Sequence, residues 1–168
     1  MSSSRHSELI LDQFTRQATV FSTAAPITDE GALQMIVTAA RPGPDDTMLD
    51  VACGGGIVVC AFAPNVRHAT GIDFTPAMLE RARVLAAEKA ISNVSWRQGD
   101  VTALPYKDGN FGIVVTRYAF HHFLDPLAVL REPRKLPVHV RLDLSEGPQT
   151  ASKLLQFGSS AFTHPASA

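Results

Sequence analysis

Met48-Leu49-Asp50-Val51-Ala52-Cys53-Gly54-Gly55-Gly56, with the apolar run Ile57–Ala63 behind it, is the stretch that decides the fold. A short apolar segment ends in an acid and three glycines, and a helix-like segment follows. Glycine lets a backbone turn tightly and approach a ligand closely, because no Cβ stands in the way. A strand, a glycine turn and a helix in that order are how an open α/β sheet holds a nucleotide-like ligand at its carboxyl edge. Taken alone, the triple glycine is also compatible with a mere tight turn.

Outward from this stretch the chain alternates strands and helices. Upstream, Leu9, Ile10, Phe14 and Phe21 suggest a short helix over about 8–17, broken at Ala24-Ala25-Pro26. Leu33, Ile36, Val37 and Ala40 recur at helical spacing over 29–40, with Thr28 as the expected N-cap. Downstream, a helix over 56–63 stops at Pro64-Asn65, and 68–72 reads as a second strand. Thr75-Pro76 starts a helix whose apolar face is Met78, Leu79, Ala82, Leu85 and Ala86. Val94–Gln98 and Ile113–Thr116 read as third and fourth strands. The order β-α-β-α-β-β predicts an α/β fold with a doubly wound parallel sheet and helices on both faces.

Composition bounds the function. The chain has 168 residues, 45% hydrophobic and 18% charged, with formal net charge −1. That suits one domain with a real core, and it lacks the basic excess of an obligate nucleic-acid binder. The longest unbroken apolar run, Ile57–Ala63, is too short to span a bilayer. Met1 to Glu8 lack the apolar core of a signal peptide, so the expected location is cytoplasmic. Cys53 and Cys60 fit neither a zinc site nor a redox pair, and no metal is expected.

The glycines also exclude a ligand. A dinucleotide fingerprint requires glycine at the first, third and sixth positions of its loop. Counting from Gly54 puts Val59 sixth, and counting from Ala52 puts Ile57 there. No phosphate-binding lysine follows, which disfavours a nucleoside triphosphate. Acids instead close three successive strands: Asp50, Asp73 and Asp100. An acid about 20 residues past such glycines is placed to accept both ribose hydroxyls. Each acid alone could be a helix cap or a solvated turn. Together they suit a phosphate-free cofactor carrying a ribose, an amine and a positive charge.

With those motifs in order, the chain resembles a class I S-adenosylmethionine-dependent methyltransferase, of the branch that includes the ubiquinone/menaquinone-biosynthesis C-methyltransferases. Leu49–Gly56 resembles the family's first motif, with Ala52 where glycine is commoner. Gly71–Leu79, Gly99–Tyr106 and Thr116–Phe123 resemble the second, third and fourth, and Phe14–Ala18 with Phe21 the N-terminal cap. The resemblance implies a Rossmann-like core over 28–132, preceded by a helical cap segment over 1–27. It implies S-adenosyl-L-methionine as cofactor. Ala52, Gly54 and Gly56 would cradle the methionine moiety, Asp50 would orient that loop or reach the amino group through water, and Asp73 would bind the ribose. Phe74 and Met78 would flank the adenine, Asp100, after Gly99, would accept from its exocyclic amine, and Val101 would stack below. Thr116 and Arg117 would lie near the methionine end, Arg117 being either a ligand contact or a surface charge. His121 and His122 follow the fourth strand and are the candidate catalytic bases; helix packing or capping is the other reading of the pair.

The resemblance weakens toward the C-terminus. Pro133 is placed to end a helix early. Val138, Val140, Leu142 and Leu144 then alternate with polar residues, the period of a half-buried strand rather than a central parallel one. Residues 133–168 are expected to form a divergent, partly disordered segment that leaves the C-terminal strands incomplete. An exposed sheet edge would then favour self-association. The expected function is methyl transfer to a small-molecule acceptor, with no nucleic-acid partner and no membrane span. The alternative is a catalytically incomplete cofactor-binding module.

Overall fold

The computed structural model describes residues 25–107, 109–119 and 140–141, together with Asp12 and Thr15 as isolated helical positions. Apart from those two positions the expected helix over 8–17 lies outside the described residues, as does the histidine pair. A helical turn, α1 (Ala25–Thr28), leads into α2 (Glu30–Ala40). Ala25-Pro26 lies in the first turn of α1, where proline costs no hydrogen bond. One local expectation changes here. Asp29, not Thr28, caps α2: its Oδ1 accepts from the Ala32 N–H at 2.8 Å. Thr28 closes the preceding turn, where its hydroxyl donates back to the Ala25 carbonyl. The apolar stripe of α2 is buried as its spacing predicts.

Among the described residues five parallel strands form one sheet: β1 (Thr47–Val51), β2 (His68–Asp73), β3 (Val94–Gln98), β4 (Ile113–Val115) and β5 (Val140–Arg141). Their spatial order is β3-β2-β1-β4-β5. Between β1 and β2 run α3 (Ile57–Phe62) and a 3-10 turn (Ala63–Asn65). The helix therefore tightens at Pro64 before it stops, and Asn93 Nδ2 secures the turn by donating to the Ala63 and Val66 carbonyls. Helix α4 (Pro76–Glu88) joins β2 to β3.

This is the doubly wound, Rossmann-like sheet expected from the sequence. β1 lies in its interior, paired on one side with β2 and on the other with β4. Successive strand residues point to opposite faces. On one face Met48, Ile113 and Val115 meet Leu33, Val59, Phe62 and Leu79 from α2, α3 and α4. On the other, Leu49, Val51, Ile72 and Val114 meet Val101 and Phe111 from the connection between β3 and β4. The helix expected on that face after β4 falls outside the described residues. β5 falls inside the alternating stretch after residue 137, and it runs parallel to β4 at the margin of the described sheet.

Candidate functional site

The chain order reverses at β1, whose neighbours β2 and β4 are reached in opposite directions, and ligands of such sheets bind outside the strand ends at that point. The glycine turn sits there. Its backbone visits left-handed space three times, at Ala52 (φ 60°), Gly54 (φ 50°) and Gly56 (φ 78°). Glycine does so without strain; alanine does not. Tyr118, just past β4, is also left-handed, with φ 56°. Cys53 N–H donates to the Ile72 carbonyl at 3.0 Å, which ties the turn to β2.

Gly54 and Gly56 differ in what surrounds them. A Cβ on Gly54 would meet nothing within 4 Å, so this residue borders open space at the strand ends. A Cβ on Gly56 would stand 2.5 Å from Trp96 Cη2 and 2.7 Å from Ala82 Cβ. Gly56 is therefore demanded by packing beneath the turn, whereas Gly54 leaves room for a ligand above it.

The strand-end acids have distinct settings. Asp73 is buried and doubly engaged: Oδ2 accepts from Gly54 N–H and Oδ1 from Thr75 N–H, both at 2.8 Å. It holds the glycine turn as well as facing the ligand edge, a role the sequence reading did not include. Burial raises its pKa, against the hydrogen bonds from Thr75 and Gly54 that favour the charged form. Asp50 is 1% exposed, and its Oδ1 has no hydrogen-bond partner among the described residues. Burial, then the charge of Asp73, lifts its pKa well above the ordinary carboxyl value, with Arg117 opposing. Asp100 is exposed, and its Oδ1 accepts from the amide and the hydroxyl of Thr102.

The remaining expected residues divide. Val101 and Met78 are buried, Met78 to 2% exposure, so little of its side chain is left for a ligand. Phe74 is half-buried at the end of β2, where its carbonyl accepts from Gln98 Nε2. Gly99 N–H donates to the Asp73 carbonyl, which joins the ends of β2 and β3. Thr116 is buried, and its hydroxyl has no partner among the described residues. Arg117 is buried rather than a surface charge: Nη1 donates to the Ile27 carbonyl at 2.8 Å and the guanidinium lies over Tyr118 at 4.7 Å. It links the end of β4 to α1. His121 and His122 lie outside the described residues.

Two residues went unread in the sequence. Trp96 lies beneath the turn, and Tyr106 packs edge-on against Phe111 with Arg97 over its ring. An aromatic opposite a strand glycine was the available signal for Trp96; nothing in the sequence distinguished Tyr106.

The site fits the cofactor chemistry expected of it. Buried polar atoms without partners are rare because each costs about 1–3 kcal/mol. Asp50 Oδ1 and Thr116 Oγ1 both flank the turn at the strand ends, and a ligand amine or hydroxyl would satisfy them. Among the described residues no group of three or more His, Cys, Asp or Glu could hold a metal, and no helix is long and apolar enough to cross a membrane.

Comparison with known proteins agrees with this geometry. Residues 49–136 match the family described as methyltransferase domain. The chain is 33% identical over 119 residues to the uncharacterized methyltransferase YcgJ of Bacillus subtilis, covering 71% of this chain and 47% of that protein. It is 40% identical over 111 residues to a demethylmenaquinone methyltransferase of Deinococcus radiodurans, covering 64% and 45%. The crystal structure of YcgJ superposes with a TM-score of 0.59 at 36% identity, covering 61% of this chain and 44% of that one. The chain thus spans under half the length of these relatives.

Proposed function

The chain belongs to the methyltransferase domain family, and from that premise we propose that it takes a methyl group from S-adenosyl-L-methionine and transfers it to a small apolar or aromatic acceptor. The observation that carries the proposal is the pairing of an open Gly54 with buried, unpartnered acceptors at Asp50 and Thr116. Asp50 would receive the ligand's amino group and Asp73 its ribose hydroxyls. Asp100 would accept from the adenine amine beside Val101. The cofactor supplies a methyl group already activated on a sulfonium, so the protein's work is positioning and exclusion of water. A cationic ligand beside Asp50 and Asp73 would offset the burial that raises both pKa values. We propose that one of His121 and His122, which follow β4 in the sequence, serves as base for the acceptor. The Deinococcus radiodurans relative, named for methylating demethylmenaquinone, supports an aromatic acceptor. In domain terms we propose a cofactor-binding core over 28–132, flanked by a cap segment before it and a divergent segment after it, working in the cytoplasm without a nucleic-acid partner.

Calorimetric titration with S-adenosylmethionine and S-adenosylhomocysteine tests this. Saturable binding by the wild type, weakened by Asp73→Ala and by Asp100→Ala, is expected; urea unfolding run in parallel separates loss of the turn bonds at Asp73 from loss of ligand contact. Absence of binding by the wild type rejects the proposal. Turnover of labelled cofactor on a panel of hydroquinones then identifies the acceptor.

A further inference from the structure

We infer that Trp96 is a positioning residue for the cofactor turn, holding it from beneath across an intervening strand; the inference rests on the methyltransferase reading above. Trp96 lies on β3, in register with Gly71 of β2. A Cβ on Gly71 would stand 2.8 Å from Trp96 Cε3 and Cζ3, and 2.7 Å from Cys53 Sγ. Only a bare backbone in β2 lets the indole lie across that strand toward the turn that follows β1. At the far side of its span the ring meets Gly56, whose added Cβ would be 2.5 Å from Cη2 and 2.8 Å from Cζ3. Ala82 of α4 approaches the same point, at 2.7 Å.

Gly56 is thus clasped between an indole from β3 and a methyl from α4. The rest of the turn hangs from β2 through Cys53 N–H on Ile72 and Gly54 N–H on Asp73. Those two bonds fix where the turn begins. The indole fixes how high its end stands, and with it the open face at Gly54. β3 also leads directly into Gly99-Asp100, so one strand sets both the methionine end and the adenine end of the proposed site. A smaller side chain at 96 leaves a gap under Gly56, and the turn can sink into it without any loss of groups that touch the ligand.

The test is S-adenosylhomocysteine affinity by calorimetry for wild type, Trp96→Phe, Trp96→Leu, Gly56→Ala and the Trp96→Leu/Gly56→Ala double variant, with far-UV circular dichroism and urea unfolding in parallel. Misplacing a positioning element by a fraction of an ångström predicts about tenfold weaker binding for Trp96→Leu and about threefold for Trp96→Phe, each with a wild-type dichroism spectrum. Because both changes act on one contact, the double variant is expected within about threefold of the weaker single variant rather than at the product of the two losses. Lower stability with unchanged affinity overturns the inference, since a merely structural indole would give that result. Multiplicative losses overturn it as well. Should Trp96→Leu fail to fold, unchanged affinity in folded Trp96→Phe overturns it. No binding by the wild type rejects the methyltransferase reading and the inference together, whereas binding by Trp96→Leu equal to wild type rejects the inference alone.

Discussion

Replacing Gly54 and Gly56 by alanine, one at a time, separates two physical demands that a glycine-rich turn usually merges. Both residues have left-handed backbones, at φ 50° and 78°, so each alanine carries a conformational cost of roughly 1–2 kcal/mol. There the similarity ends. The new methyl at 54 meets nothing within 4 Å. The new methyl at 56 would stand 2.5 Å from Trp96 and 2.7 Å from Ala82, and over-packing of this kind adds about 1–3 kcal/mol. Gly56→Ala should therefore lose about 2–5 kcal/mol and Gly54→Ala about 1–2 kcal/mol, against a total of about 5–15 kcal/mol for a typical domain. Trp96 is the single tryptophan of the chain, so urea unfolding followed by its fluorescence reads the affected region directly. Ligand binding should order the variants the other way for a given loss of stability. The methyl at 54 projects into the proposed cofactor space and should weaken S-adenosylhomocysteine binding in a protein that is still folded. Equal destabilisation by the two alanines would refute the packing argument, and wild-type affinity in Gly54→Ala would refute the assignment of the open face.

Two other perturbations follow from the same edge. Asp50 has its pKa raised from 3.8 by burial, so the folded state holds that proton more tightly than the unfolded chain does. Its contribution is fully present at low pH and is lost as pH rises from the unfolded carboxyl value through the raised folded one. Asp50→Asn should accordingly stabilise the ligand-free protein, by a margin that grows with pH across that window; urea midpoints for both proteins at several pH values check it, and a pH-independent difference would count against it. Ala52→Gly should relieve the strain at φ 60°, offset in part by loss of a half-buried methyl packed near Leu49 and Val51, for a net gain of about 1 kcal/mol and a rise of about 3 °C in Tm. A fall in Tm would mean that the methyl contact outweighs the backbone strain.

Much of this was legible in the sequence because the relevant signals are local. The apolar stripe of α2, the Thr75-Pro76 start of α4 and the acids at the strand ends each sit within a few residues of what they determine. The spacing of the glycines was enough to set aside dinucleotides. What could not be read depends on contacts between distant segments. Gly54 and Gly56 look equivalent in the chain, yet one faces open space and the other an indole from a strand two positions away. Arg117 looked equally like a ligand contact or a surface charge, and its bond to Ile27 crosses 90 residues. Asp73 was read for the ribose alone, because its bond to Gly54 exists only once β1 and β2 are side by side. The swap of Thr28 for Asp29 as cap is of a different kind: two capping residues were adjacent, and the extra turn of α1 decided between them.

The strand order has a kinetic consequence. β1, β2 and β3 are joined by short helical crossovers, so the glycine turn, Asp73 and the indole beneath the turn can come together from one contiguous stretch of chain. β4 pairs with β1 only by returning past both of the other strands, as in the Met48–Ile113 register. Contacts that close longer loops carry more entropy cost before they return any stabilisation, and they form later. The glycine turn and the indole beneath it are thus expected to assemble no later than the β4 side: tryptophan emission should recover on refolding before or together with the Arg117–Ile27 contact, and recovery after that contact would refute the ordering.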